Sequence, residues 1–255
     1  MLWVETLKAA RSKMPFFTLA GFILIPLMAI FFMVILRDPD FARRAGLISD
    51  KAQLMSGSAD WPAFLSLLSQ AIAVGGVLLF SLIGSWVFGR EFVDGTLKDL
   101  LAVPVDRATI LLAKFLIVML WSLILVLIIY GIALLLGILI DLPLWNKQVL
   151  WQGTLTYLLT AILVIGTMTP VAFFASVGRG YLFPMGITLL FVLLANVLTV
   201  AGWGSYIPWT IPALYAGAGD ATASLAASSY WIVLLTALAG IVATYLWWQF
   251  ADQNK

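Results

Sequence analysis

The stretch WPAFLSLLSQAIAVGGVLLFSLIGSWVFG, from Trp61 to Gly89, decides the fold because it contains no Asp, Glu, Lys or Arg. A helix that crosses the hydrocarbon core of a bilayer needs about 20 consecutive apolar residues. The same charge-poor pattern recurs along the chain, and it predicts six spans, at residues 16–36, 63–87, 108–140, 152–177, 181–201 and 230–250. The sequence therefore predicts an all-α membrane protein, with residues 1–255 forming a single transmembrane domain.

The composition supports this fold class and excludes several functions. Of the 255 residues, 63% are hydrophobic and 10% are charged, whereas soluble domains are about 45–50% apolar and about 25% charged. No phosphate-binding Gly-x-x-x-x-Gly-Lys-Ser/Thr loop is present, so any ATP would have to be hydrolysed by another chain. The chain contains no Cys and no His, which excludes thiolate and imidazole metal sites and Ser-His-Asp triads. We predict no catalytic residue, no metal site and no cofactor in this chain.

Basic and aromatic residues indicate how the spans are oriented. If the N-terminus is cytosolic, nine Lys and Arg residues fall on the cytosolic side and five on the outer side. This is the bias that cytosolic loops of membrane proteins show. Nine of the eleven Trp residues also fall near predicted span ends, where their rings prefer the headgroup layer. We therefore predict a multi-pass protein with both termini in the cytosol.

Two segments outside the spans have their own patterns. Residues 1–14 predict an amphipathic helix on the inner membrane surface, with bases such as Lys8 near anionic lipid. The alternative is a simple lead-in to the first span. Between the fifth and sixth spans, the first part of 202–229 is aromatic, uncharged and interrupted by Pro208 and Pro212, which predicts a re-entrant element shielded by protein.

Few polar side chains lie within the spans. Lys114 falls in the first turns of the third span, where we expect its ammonium group to snorkel to the membrane surface. Gln70 and Asn196 could contact a transported molecule or could hydrogen-bond a neighbouring helix. No ionisable side chain is expected at mid-span, which disfavours an ion-coupled carrier.

Charge concentrates in the cytosolic segment REFVDGTLKDLLAVPVDR, residues 90–107. Gly95 permits a sharp turn, and Thr96 and Asp99 have the spacing of a capping box. Pro104 would end the resulting helix after about two turns. Its leucines share one face and need cover, because so short a helix is not stable alone in water. That cover is either the chain's own spans or another protein.

The order of residues in this segment is similar to the pattern of a known protein family. Arg90-Glu91-Phe92, Asp94-Gly95-Thr96-Leu97, Leu100-Leu101, Pro104-Val105 and Arg107 are followed at once by a long apolar helix. This order resembles the signature of permease subunits of type-2 ABC exporters, which serve drugs, polysaccharides and lantibiotics. The compact layout looks most like the bacitracin and lantibiotic self-protection permeases of bacteria.

The resemblance implies a partner, a site and a cellular location. It implies that residues 90–107 hold a coupling helix, docked on a separate ABC-type ATPase that binds ATP and Mg. The implied docking residues are Glu91, Gly95, Thr96, Leu97, Lys98, Asp99, Leu100, Leu101, Pro104 and Arg107. It further implies two ATPase copies, a second permease copy or a sister permease, and the bacterial plasma membrane; no nucleic acid is expected.

The expected function is ATP-driven export of an amphipathic or hydrophobic cargo, such as an antimicrobial peptide, a drug or a lipid-like molecule. The second and fifth spans would line the path, with Gln70, Phe80, Phe191 and Asn196 as candidate contacts. Three alternatives remain open: an ion-coupled secondary transporter, a membrane scaffold or sensor that moves no cargo, and an intramembrane enzyme. The last would need a cluster of catalytic groups at one membrane depth, for which neither a His partner nor a metal set is present.

Overall fold

The protein is a bundle of α-helices in a computed structural model that describes residues 1–38, 58–218 and 225–251, and of Leu101 only the backbone. Ten α-helices are found in these residues: α1 (Leu2–Ala10), α2 (Met14–Arg37), α3 (Trp61–Val93), α4 (Leu97–Ala102), α5 (Arg107–Leu139), α6 (Lys147–Thr167), α7 (Pro170–Val177), α8 (Leu182–Val200), α9 (Ile211–Tyr215) and α10 (Ala227–Phe250). One 3₁₀ turn, Gly204–Tyr206, precedes α9.

Six helical segments are long and apolar enough to cross a membrane: α2, α3, α5, α6 together with α7, α8 and α10. The prediction of an all-α protein with six membrane-spanning helices is confirmed. The second membrane span, α3, is longer than the predicted span 63–87, because it continues to Val93. It begins at Trp61, where the side chain of Asp60 accepts a hydrogen bond from the backbone N–H of Ala63 at 2.9 Å and caps the helix.

The most buried of these helices is α3. It packs against α2, α5, α6, α7 and α8, and small residues at these contacts allow close approach. A Cβ added to Gly153 of α6 would lie 2.5 Å from a side-chain carbon of Leu65. In contrast, α8 has only three buried residues, Pro184, Thr188 and Ala195. The core therefore forms around α3, and α8 is left on the surface of the bundle.

The fourth span is broken between Thr167 and Pro170, nearer its C-terminal end. The helix ends at Thr167 and resumes at Pro170 as α7, because proline has no backbone N–H to continue the ladder. Thr169 Oγ1 donates a hydrogen bond to the carbonyl of Ala237 on α10 at 3.0 Å. A Cβ at Gly240 would lie 2.5 Å from the backbone nitrogen of Pro170. The break is therefore fitted closely against α10.

The segment between α8 and α10 is compact where it is described. Thr210 Oγ1 donates to the carbonyls of Gly204 and Ile207, and the side chain of Ile211 is buried. The helix α9 packs against α6 and α3. Residues 219–224 of the predicted re-entrant segment lie outside the described residues, and its position in the membrane stays a prediction.

Candidate functional site

The charged segment follows directly from the innermost helix of the bundle. Past its apolar stretch, α3 carries Glu91 on its last turn and ends at Val93. Gly95 then turns the chain with a backbone φ of +70°, and a Cβ there would meet nothing within 4 Å. Glycine is thus favoured by the left-handed backbone rather than by lack of space. The short helix α4 ends before Val103, whose extended backbone suits the residue preceding a proline.

Glu91 is the centre of the site. Its side chain is 1% exposed, and it accepts hydrogen bonds from three side chains. Lys8 Nζ and Lys114 Nζ each donate to Oε1 at 2.9 Å. Thr96 Oγ1 donates to Oε2 at 2.6 Å. One carboxylate therefore connects α3 to α1, to α5 and to the residue that begins α4.

Lys114 is buried, and the prediction that it snorkels to the membrane surface is wrong. Its side chain is 0% exposed. The ammonium group donates to Glu91 Oε1, to Glu5 Oε2 at 3.2 Å and to the backbone carbonyl of Val87 at 3.1 Å. A lysine has three N–H donors, and all three have an acceptor here. Snorkelling is unnecessary because α1 and α3 bring carboxylates to the lysine.

The N-terminal helix α1 turns charged residues toward the protein. Glu5 is buried and Trp3 is exposed, so the acid faces the bundle and the indole faces outward. Lys8 Nζ contacts Glu91 and Glu5, and its place near anionic lipid stays a prediction. Burial lowers the pKa of Lys8, but its hydrogen bond to Glu91 and the negative charges of Glu5 and Glu91 outweigh that effect and raise the pKa above its usual value.

Together Glu5, Lys8, Glu91 and Lys114 form a cluster of two acids and two bases, which we call the ion cluster. Removing one partner of a buried ion pair costs about 3–5 kcal/mol, because the other charge stays buried without compensation. Sequence analysis identified Glu91 and missed its partners. The sequence features that could have indicated these partners are a lysine inside an apolar span, Lys114, and an acid on the amphipathic N-terminal helix, Glu5.

The expected capping box of α4 is not formed. Thr96 has helical backbone angles, and its side chain makes no capping hydrogen bond to the helix. The hydroxyl is engaged by Glu91 instead, and Asp99 is exposed. A hydroxyl prefers a buried carboxylate as acceptor because charge-assisted hydrogen bonds are about twice as strong as neutral ones.

The leucine face of α4 is turned toward the chain's own bundle. Leu97 is 7% exposed and belongs to the core, and Leu100 is half-buried against that core. Of the two covers that the sequence left open, Leu97 has the chain's own bundle, and its role in docking stays a prediction. The side chain of Leu101 lies outside the described part of the structure. The outward surface of this segment instead consists of Lys98, Asp99, Ala102, Val103 and Pro104.

Arg107 connects the end of the 90–107 segment to α10 by hydrogen bonds. Its Nη1 donates to the carbonyl of Trp248 at 2.5 Å and to that of Gln249 at 3.2 Å. These carbonyls lie at the C-terminal end of α10, where a cation is favoured by unsatisfied oxygens and by the helix dipole. Both ends of the 90–107 segment are thus attached to the bundle.

The four candidate path residues lie in different surroundings. Gln70 donates to Ser66 Oγ, and Asn196 donates to the carbonyl of Val192 on its own helix. Phe80 is buried, with its ring centroid 5.0 Å from that of Phe22. Phe191 stacks on Trp209 with centroids 4.3 Å apart. The cargo role of these residues stays a prediction.

Comparison with known proteins places this geometry in a family. The model of a family described as ABC-2 family transporter protein matches residues 1–195. The chain belongs to the ABC-2 transporter family. It is therefore a multi-pass membrane protein and a permease of an ABC transporter, a class that works with an ABC ATPase.

A curated relative agrees with the family. The bacitracin transport permease protein BCRB of Bacillus licheniformis is 24% identical to this ABC-2 permease over 181 residues, which are 69% of this chain and 85% of the relative. No solved structure matches the chain. The matched residues 1–195 include α1, the 90–107 segment and the whole ion cluster.

Proposed function

We propose that this permease exports an amphipathic or hydrophobic cargo from the cytoplasm or the inner leaflet, driven by ATP that a separate subunit hydrolyses. Two ATPase subunits, which would hold the ATP and Mg, dock on residues 90–107 of two permeases. The second permease is another copy of this chain or a sister chain. Both termini lie in the cytosol, and the membrane is the bacterial plasma membrane.

The observation that carries the proposal is the attachment of α4 to the ion cluster. Thr96 begins α4 and is bonded to Glu91, and Glu91 is bonded to Lys114 of α5. A push on the outward face of α4 therefore reaches α3 and α5 through these paired groups. Such a network resists gradual deformation, so the helices are expected to move together.

The contact with the ATPase is made by the outward face of α4. Lys98 and Asp99 are exposed there, and they provide charges that set the register of a partner. Charged residues at the rim of an interface govern the rate and specificity of association. Leu97 and Leu100, in contrast, anchor α4 to the bundle.

Docking is tested by reversing these two charges. The double variant Lys98→Glu/Asp99→Lys, purified from the native host in mild detergent, is expected to lose most of the co-purifying ATPase. Its matched control is Asp141→Lys/Lys147→Glu, which reverses two exposed charges at the other end of the bundle. Equal ATPase recovery from both variants would refute docking on α4.

The proposed cargo class rests on the relative and on the apolar character of the spans. The relative is named as a bacitracin transport permease, and bacitracin is a peptide antibiotic. We infer that this chain also serves amphipathic peptides or similar molecules. Proteoliposomes that contain the permease and its ATPase should show ATP-dependent movement of labelled bacitracin, with a labelled hydrophilic peptide as the control.

The proposed orientation has a direct test, because the chain contains no native Cys. A single Cys at Lys98 should react with a membrane-impermeant maleimide only after the cells are opened. A single Cys at Gln148, exposed at the start of α6, should react in intact cells. The opposite pattern would invert the topology.

An ion-coupled carrier is the second candidate, and the buried Glu91–Lys114 pair is the observation that favours it. Ionisable residues within membrane helices often bind or relay a driving ion. In this structure, however, each acid of the ion cluster is paired with a base. Uphill transport by the reconstituted chain alone, under a proton gradient and without ATP, would select the carrier.

A further inference from the structure

A groove runs along the side of the bundle between α5 and α10. Its volume is about 380 Å³, and its lining is apolar, with Leu112, Phe115 and Met119 on α5 and Ile241 on α10. Tyr245 lies in the same lining, toward the end where α10 stops at Phe250. Both helices are membrane-spanning, so the groove opens toward the hydrocarbon of the bilayer.

A second cavity lies beside this groove and reaches the buried face of α3. This cavity has a volume of about 260 Å³ and lies among α3, α5, α6 and α7. Phe115, Met119 and Ile241 line both spaces, so the two spaces adjoin. Phe80, which sequence analysis singled out as a path residue, lies on the inner wall.

Ser122 marks the deep end of the two spaces. Its side chain is buried and lines the cavity, and its hydroxyl has no hydrogen-bond partner among the described residues. Buried hydroxyls are normally paired, and a serine within a helix usually bonds the carbonyl four residues earlier. The Ser122 hydroxyl is thus an unpaired polar group on the cavity wall.

The combined length of the two spaces fits one lipid chain. Ala108 at the mouth and Ser122 at the deep end are both on α5, and their separation of fourteen residues corresponds to about 21 Å. Half of a bilayer, including its headgroup region, is about 20–22 Å thick. Two small apolar spaces that lie in line along α5 suit an extended, apolar chain.

The mouth of the groove carries a fixed positive charge. Arg107 immediately precedes Ala108, and its Nη1 is held by the carbonyls of Trp248 and Gln249. A guanidinium has five N–H donors, and the remaining ones have no other acceptor in the part of the chain that the structure describes. Arginine pairs with phosphate through two parallel hydrogen bonds. The mouth therefore suits a phosphate at the level of the lipid headgroups.

We propose that this groove binds one phospholipid from the leaflet on the side of α4. One acyl chain lies between α5 and α10 and ends in the cavity beside Ser122, while the phosphate lies next to Arg107. This site does not depend on the proposed export function, because it would be occupied whether or not ATP drives transport.

The test uses the full chain in nanodiscs and a phosphatidylglycerol with a photoreactive diazirine at the end of one acyl chain. Mass spectrometry of the labelled peptides should place the label on α5 and α10 near Ser122 and Ile241. Label spread evenly over exposed faces, including α8, would overturn the proposal. The same chain on diacylglycerol, which lacks the phosphate, should label these residues several-fold less; equal labelling would overturn the role of Arg107.

Two neighbouring substitutions provide a matched pair. Met119 lines both spaces and is 43% exposed, whereas Leu120 is 42% exposed and lines neither. Met119→Trp fills the groove and should reduce labelling at Ser122 by about tenfold, while Leu120→Trp should leave it unchanged. Equal labelling in the two variants would overturn the site. Because both side chains already face outward, neither variant is expected to disturb folding.

Discussion

Lys114 Nζ lies 2.9 Å from Glu91 Oε1 in the interior of the bundle. Glu91 is on the helix that leads into the 90–107 segment, and Lys114 is on the helix that leaves it. The pair therefore closes the segment at its base, and Thr96 connects that base to α4 through the second oxygen of Glu91. This arrangement makes the segment part of the bundle rather than a free loop.

Lys114→Met should destabilise the protein by about 3–5 kcal/mol, because Glu5 and Glu91 would stay buried with one base between them. The measurement is thermal unfolding in detergent, followed by size-exclusion chromatography of the remaining folded protein. Lys98→Met removes an exposed lysine and serves as the control, with a change near zero.

The double variant Glu91→Gln/Lys114→Met should be more stable than Lys114→Met alone. It removes one acid and one base, so that Glu5 and Lys8 remain as a pair at 3.2 Å. Non-additivity of this kind is the signature of residues that act in one network. If the double variant were the less stable of the two, the ion cluster would not be a balanced unit.

Thr96→Val should weaken coupling while leaving the fold largely intact. The substitution keeps the shape of the side chain and removes the 2.6 Å hydrogen bond to Glu91, which is worth about 1.5–3 kcal/mol because its acceptor is charged. We expect cargo-stimulated ATP hydrolysis by the reconstituted complex to fall, with ATPase binding retained. Thr109→Val, at an exposed site on the first turn of α5, should match the wild type. A loss of ATPase binding instead would assign Thr96 to the docking surface.

Gly95→Ala should cost about 1–2 kcal/mol, because its φ of +70° is unfavourable for a residue with a Cβ. Gly131→Ala is the control, and its stability is expected to change in the opposite direction. Gly131 lies within α5, and a Cβ there also meets nothing within 4 Å. Alanine in a helix interior is favoured over glycine by about 0.5–1 kcal/mol, so this variant should be slightly more stable. Melting temperatures that shift in the same direction would contradict the assigned turn.

Asn196→Leu should weaken self-association of the permease. Asn196 is exposed on α8, the membrane helix with few buried residues. A hydrogen bond between membrane helices contributes about 0.6–2 kcal/mol, so we expect the dimer to dissociate about 3–30-fold more readily. Single-molecule photobleaching in liposomes measures the monomer fraction. Thr236→Val on α10, which also removes a side chain bonded to the carbonyl four residues earlier, should leave that fraction unchanged.

Much of the fold was predictable because each membrane helix must satisfy its own backbone and must be apolar over its length. The stretch from Trp61 to Gly89 predicts α3 on that ground alone. The break at Pro170 was not predicted. The break depends on the missing N–H donor of Pro170 and on the close fit of Gly240 against it. The proline is visible in the sequence, but Gly240 lies on α10, about seventy residues further along the chain.

The site shows the same division. The sequence by itself determined the turn at Gly95 and the short helix before Pro104, because these depend on neighbours within a few residues. It also showed that Glu91 belongs to the charged segment. Only the tertiary structure decided that Lys114 is buried, that Thr96 bonds Glu91 rather than its own helix, and that Leu97 packs inward. A charged or polar side chain takes the best partner within reach, and the packing of α1, α3 and α5 decides which partners those are.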